Sequence, residues 1–259
     1  GAPALMGNVC VWKPSKTAVY SAHLIMEILK EAGLPDGVIN LVYCSGPTAA
    51  DVIFSHKDFA GIHFTGSTQV FNDIWATIVK NIDKYRSYPR IVGETGGKDY
   101  IFADPTACPK EVATAIVRGA FEYQGQKCSA ASRAYIPANI WPEVENYVQE
   151  DMASIKVGGV EDFTNFVNAV IDEASFVKLS NAIDVANKSE DAEVIIGGHY
   201  DMSAGYFIQP TIIQAFKPDY ITMREELFGP ILTVYVYDPE KVDETLDILD
   251  KSSAYALTG

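Results

Sequence analysis

Phe64-Thr65-Gly66-Ser67-Thr68 closes a short apolar strand at residues 61–64 and opens a helix that runs from Ser67 to about Lys80. This stretch decides the fold because the same exchange of strand for helix repeats on either side of it. Upstream, residues 8–12 read as a strand ended by Lys13-Pro14-Ser15. Residues 17–32 read as a helix with Ala18, Ala22, Ile25 and Leu29 on one face. Gly33 and Pro35 stop it, and Asp36-Gly37 turns the chain into a strand at 38–43. A short helix at 47–55 leads back to the quoted strand, and a further strand follows at 90–93. Alternation of this kind, with short connections, predicts a parallel sheet of the Rossmann, dinucleotide-binding type.

The alternation continues beyond Lys98. Strands are predicted at 100–103, 133–136, 193–196 and 231–237, and helices at 109–121, 141–152, 176–187 and 242–250. Two glycines in succession, Gly96-Gly97, allow a sharp crossing between sheets. The boundary is therefore drawn there, with a partial nucleotide-binding domain at 1–97 and a second α/β domain, the catalytic one, at 98–259. Trp75, Trp141, Tyr206 and Phe207 read as core, and the acidic stretch 143–151 as a solvated helix face.

Bulk composition removes several function classes. Thirty-four Asp and Glu against 20 Lys and Arg give a formal charge of -14 over 259 residues. Such a surface repels nucleic-acid phosphates and anionic membranes. No apolar run approaches the length of a membrane span. The four cysteines, Cys10, Cys44, Cys108 and Cys128, form no Cys-x-x-Cys pair, and none sits near a histidine at ligand spacing, so no metal is expected. A reducing compartment is the simplest setting: the cytoplasm of a bacterium, or the mitochondrial matrix of a eukaryote. Cys10, Cys44 and Cys108 read as small buried hydrophobes.

Cys128 reads differently. It follows a predicted helix in the polar run Phe121-Glu122-Tyr123-Gln124-Gly125-Gln126-Lys127-Cys128-Ser129. Upstream, Glu94-Thr95-Gly96-Gly97-Lys98 offers a carboxylate at a strand end followed by two residues without side chains. A deprotonated thiol attacks an aldehyde carbon readily, and a carboxylate can then activate water against the resulting thioester. In this order the two words resemble the aldehyde dehydrogenase superfamily. The longer run through Ser129-Ala130-Ala131-Ser132-Arg133, with Tyr88-Pro89-Arg90 and Ile140-Trp141-Pro142, resembles its 1-pyrroline-5-carboxylate dehydrogenase branch. That resemblance covers essentially the whole chain.

The resemblance implies Cys128 as nucleophile and Glu94 as base. It implies NAD as cofactor, held by Lys13 and Ser15 at the adenosine ribose, by the Gly66-Ser67-Thr68-Gln69-Val70 turn at the pyrophosphate, and by Glu226 and Phe228 at the nicotinamide end. The turn taken alone is also an ordinary helix N-cap, and there is no Gly-x-Gly-x-x-Gly. One departure concerns Lys16, which stands where many NAD-using relatives carry an acidic residue; a cation there tolerates a 2′-phosphate, so NADP stays open. Lys127 and Ser129 are the implied substrate contacts, a cation and a hydroxyl suited to a carboxylate-bearing aldehyde. The implied reaction is oxidation of L-glutamate 5-semialdehyde to L-glutamate in proline breakdown. Oxidation of another semialdehyde, such as that of succinate, and an inactive fragment of such an enzyme are the alternatives. Both ends of the chain read as cut, so it is expected to be an internal part of a longer homo-oligomeric protein. The asparagine that completes the oxyanion site and the loop that grips the substrate carboxylate are then expected outside residues 1–259.

Overall fold

Strands and helices alternate through the first 95 residues much as the pattern predicts. The computed structural model describes residues 1–259, and they divide into two compact units, Gly1–Thr95 and Gly96–Gly259. The division falls two residues before the boundary drawn from the sequence.

The first unit contains α1 (Ala2–Leu5), β1 (Cys10–Trp12), α2 (Val19–Glu31), β2 (Ile39–Leu41), α3 (Gly46–Ile53), β3 (Gly61–Gly66), α4 (Thr68–Lys80) and β4 (Arg90–Thr95). A 3-10 turn at Lys16–Ala18 precedes α2. Parallel pairing joins β1 to β2 and β3 to β4, as two separate pairs rather than one continuous ladder. Its small core gathers Phe54, Phe59 and Ile78 with Ile62, Ile74 and Ile91. Phe54 and Phe59 meet edge to face at 5.3 Å, and the Tyr85 hydroxyl donates to the Phe54 carbonyl at 2.7 Å. Two expectations are corrected here. The inner face of α2 is Ala22 and Met26, while Ile25 is exposed. Trp75, read as core, is 50% exposed on α4.

The second unit contains β5 (Tyr100–Phe102), α5 (Pro109–Phe121), β6 (Arg133–Pro137), α6 (Trp141–Ser154), α7 (Glu173–Asn187), β7 (Ala192–Ile196), β8 (Tyr200–Asp201), β9 (Phe207–Ile208), β10 (Thr211–Ala215), α8 (Ile221–Arg224), β11 (Ile231–Tyr237) and α9 (Val242–Ser252). Five strands form a sheet in the order β5-β6-β11-β10-β7, all parallel except β7. The sequence reading lacked β8, β9 and β10. In β10 the side chains on both faces are buried, so Thr211-Ile212-Ile213 shows no alternation to betray a strand.

Alternation along β6 assigns its two faces. Ala134 and Ile136 join Ile116, Phe121, Val144 and Val148 under α5 and α6, whereas Tyr135 packs with Met223, Tyr237 and Leu249 on the other side. On α5, Val112, Ala113, Ile116, Val117 and Ala120 fall on one buried face, and Pro109 occupies the first turn, where its missing N–H is harmless. Helix α7 starts three residues before its predicted place because Asp172 caps it, accepting the Ser175 N–H at 2.9 Å.

Candidate active site

The cysteine loop leaves α5 through a run of left-handed backbone. Tyr123, Gln124 and Gly125 have φ of 55°, 58° and 64°. Left-handed geometry at a non-glycine residue costs roughly 1–3 kcal/mol and persists only where the surroundings impose it. Next, the Ala130 N–H donates to the Lys127 carbonyl at 3.1 Å, closing a turn with Cys128 and Ser129 at its tip. Cys128 is a free, partly exposed thiol, and its own N–H donates to no group in the chain. That leaves one backbone donor available to an oxyanion on an attacked carbon. Lys127 Nζ pairs with Glu122 at 2.5 Å, and Arg118 holds the other carboxylate oxygen at 2.6 Å. The Lys127 hydrogen bond and charge, with Arg118, hold the Glu122 carboxyl below its ordinary range.

A second loop, 225–230, meets the first. The Gly229 carbonyl occupies the place a side chain on Gly125 would need. Phe228 has φ of 58° and is partly exposed, while its neighbour Leu227 anchors the loop in the core. Tyr123, Gln124 and Phe228 are the three non-glycine residues of the chain with positive φ. All of them lie in these two touching loops.

The Glu226 carboxylate accepts the Gly97 N–H at 3.3 Å and lies where a Gly96 side chain would stand. Neither glycine has a positive φ. Close approach, not a sharp crossing, is therefore what demands glycine here. At Gly97 an added Cβ would also come within 3.1 Å of Ala256. Burial raises the Glu226 pKa, against the Gly97 hydrogen bond and the charges of Lys178 and Lys98.

Beside these loops two cations are buried. Lys98 and Arg133 are each 1% exposed. Burial, reinforced by Arg133, lowers the Lys98 pKa to about 7, against the opposing pull of Glu226 and Glu225. Arg133 donates to the Lys98 carbonyl at 3.1 Å, to the Tyr135 hydroxyl at 3.2 Å and to the Ser252 hydroxyl. Its guanidinium also lies over the rings of Tyr100 and Tyr135. Ser252 ends α9, so the guanidinium sits at the negative end of that helix. Asp99, equally buried, accepts the Leu257 N–H at 2.6 Å and the Thr258 hydroxyl at 2.9 Å. The same hydroxyl lies 3.4 Å from the Ser129 carbonyl. Sequence reasoning assigned no role to Lys98, Asp99 or Arg133, although all three lie inside or beside the quoted words.

The first unit carries the remaining predicted residues, each near the carboxyl end of a parallel strand. Lys13 follows β1 and donates to the Pro14 carbonyl at 2.7 Å. Ser15 pairs with Thr17 at 3.0 Å, and Lys16 is exposed. Gly66 ends β3, and the Ser67 hydroxyl accepts the Val70 N–H at 3.3 Å as the cap of α4. The Gln69 amide donates to Asp73 at 3.1 Å. Glu94 is exposed near the end of β4, opposite Thr65. Among the other cysteines, Cys44 and Cys108 are exposed, correcting the buried reading given to both.

The model of the aldehyde dehydrogenase family matches residues 1–259. The mitochondrial delta-1-pyrroline-5-carboxylate dehydrogenase of Dictyostelium discoideum is 51% identical over all of this chain and 47% of its own length. A crystal structure of the delta-pyrroline-5-carboxylate dehydrogenase of Mycobacterium tuberculosis bound with NAD superposes with a TM-score of 0.92 at 46% identity, covering 100% of this chain and 47% of that one. A 1-pyrroline-5-carboxylate dehydrogenase from Thermus with bound NAD gives 0.88 at 31% identity, covering 98% and 48%. The chain thus spans about half the length of the relatives it matches.

Proposed function

This chain belongs to the aldehyde dehydrogenase family, and from that premise we propose that its protein oxidises L-glutamate 5-semialdehyde to L-glutamate with NAD. The observation that carries the proposal is the contact between the Cys128 loop and the 225–230 loop at Gly125 and Gly229. It sets the nucleophile in the same unit as Glu226 and Phe228, the residues proposed for the nicotinamide end.

The residues fit such a cofactor. Glu226 is fixed by the Gly97 N–H, with its carboxylate in the space that Gly96 leaves; a carboxylate so held suits ribose hydroxyls. In the first unit, Gly1–Thr95, we assign NAD binding to Lys13 and Ser15 and to the start of α4, where Gly66, Ser67, Thr68, Gln69 and Val70 end β3 and open a 13-residue helix. The exposed cation at Lys16 leaves room for NADP. NAD, when bound, supplies the hydride acceptor.

What falls to the chain is covalent and acid–base chemistry. The Cys128 thiolate adds to the aldehyde carbon, and its own N–H is available to the new oxyanion. After hydride loss the acyl group remains on the sulfur as a thioester. Glu94 then takes a proton from water, the water oxygen bonds the acyl carbon, and the thiolate leaves with the acid released. Lys127, steered by Glu122, and Ser129 are proposed to meet the substrate's carboxylate end. A bacterial cytosol or a mitochondrial matrix suits free thiols of this kind.

A substrate panel read by NADH absorbance tests the proposal. Glutamate 5-semialdehyde is expected to give the highest kcat/KM; faster turnover of succinate semialdehyde would overturn the substrate assignment.

A further inference from the structure

We propose that Gln126 is a positioning residue for the nucleophile, fixing the Cys128 loop through the hydrogen bond its side-chain oxygen accepts from the Ile171 N–H. The inference rests on the reading of Cys128 as the attacking group, and it adds a residue to that site.

The need for an anchor follows from the backbone. Tyr123 and Gln124 adopt left-handed geometry without being glycine, and such a run relaxes unless outside contacts hold it. Besides the turn bond from the Gln126 N–H to the Tyr123 carbonyl at 3.1 Å, three sets of contacts bear on it. The Glu122–Lys127 ion pair is the first, but it joins two residues of the loop to one another and ties them to no distant segment. The Gly229 carbonyl against Gly125 is the second; it blocks movement in one direction and supplies no bond. The third is a clamp by two glutamines on residues 169–171. Gln126 Oε1 accepts the Ile171 N–H at 2.9 Å, and the buried Gln124 amide donates to the Ala169 carbonyl at 3.5 Å. Residues 169–171 are themselves fixed. Val170 is buried in the core under α7, and its N–H donates to the Tyr206 carbonyl at 2.8 Å. Gln126 therefore connects the strained loop to a rigid segment 45 residues away in sequence.

The residue type carries information too. A glutamate of the same length accepts the same N–H, but it brings a negative charge two residues from the thiol. That charge disfavours the thiolate. A neutral amide holds the loop without that effect. Gln126→Glu and Gln126→Met thus separate holding from charge: the first keeps the acceptor and adds charge, and the second keeps the length and loses the acceptor.

The test uses the whole protein that carries residues 1–259, with either variant, and three readouts. Hydrogen exchange follows the Ile171 amide. Peptide-resolved iodoacetamide labelling follows Cys128 against pH, with exposed Cys108 as internal control. Turnover of glutamate 5-semialdehyde is the third. In Gln126→Met, Ile171 exchange is expected to accelerate and kcat to fall about tenfold or more, with Cys108 labelling unchanged. In Gln126→Glu, Ile171 is expected to stay protected while the Cys128 labelling midpoint moves to higher pH. Wild-type exchange and labelling in Gln126→Met would overturn the proposal, as would loss of Ile171 protection in Gln126→Glu. Absence of turnover in the unaltered protein would count against the reading of Cys128 itself, and exchange and labelling would still decide the clamp.

Discussion

Residues 1–95 and residues 96–259 follow the same strand–helix pattern but place their apolar side chains differently. In the second unit a five-stranded sheet carries helices on both faces, and Ala134, Tyr135 and Ile136 of β6 are all buried. In the first, β3 and β4 hold no fully buried residue, and Val11, Leu24, Ile25, Ile28 and Val92 are exposed. Parallel strands are ordinarily covered on both faces. The contrast matches the division of chemistry proposed above. A nucleophile must be held to a fraction of an ångström, and Cys128 lies in the unit whose loops are pinned by buried partners. The first unit offers Glu94, Lys13 and the start of α4, groups whose proposed roles rest on charge and dipole near strand ends.

Substitutions in the two units put that contrast to the test. The largest effect is expected from Cys128→Ala, which should cut steady-state NADH production by about a thousandfold or more. Cys44→Ala in the first unit should leave turnover at the wild-type rate. Comparable losses from both would erase the functional difference between the units. Next come the cores: Phe121→Ala under the second sheet should cost about 3–5 kcal/mol in urea unfolding. Ile28→Ala on the exposed side of α2 should stay within about 0.5 kcal/mol; a cost matching that of Phe121→Ala would show that α2 is covered in solution.

Lys98 allows a finer test of burial in the second unit. Its folded pKa of about 7 lies below the ordinary 10.5. Between these values the unfolded chain holds a proton that the folded chain lacks, so this group makes stability rise with pH across that window. The native lysine is least favourable below pH 7. Lys98→Met should therefore stabilise the protein there by about 1–4 kcal/mol, with the gain shrinking toward pH 10. Thermal unfolding against pH checks this, and an unchanged Tm at low pH would mean that the ammonium reaches water.

Much of this was legible in the chain. Gly33, Pro35 and the Ser67 cap mark where helices stop and start, so the order of the main elements in the first unit is readable. Sheet order is not, because β10 lies between β11 and β7 and, being buried on both faces, has no alternating pattern. The cysteine and glutamate words name candidate reacting groups by their chemistry. The partners that hold them are a different matter. Gln126 bonds a residue 45 positions away, and Asp99 one 158 positions away. Only folding reveals such pairs. The burial of Lys98 was equally hidden, since nothing in Glu94-Thr95-Gly96-Gly97-Lys98 distinguishes a buried lysine from a solvated one. Glycine at 96 and 97 was legible as a constraint, but its causes, the Glu226 carboxylate at Gly96 and the backbone of Tyr255 and Ala256 at Gly97, lie far along the chain.

In the proposed reaction acylation belongs to Cys128 and deacylation to Glu94. Rapid mixing of Glu94→Gln with NAD and glutamate 5-semialdehyde, followed by mass analysis of the quenched protein, tests it most directly. A burst of one NADH per active site is expected, with a glutamyl adduct on Cys128 and a later steady state slowed by about a hundredfold or more. Wild-type steady turnover in this variant, or a burst with the adduct on any other residue, would contradict it.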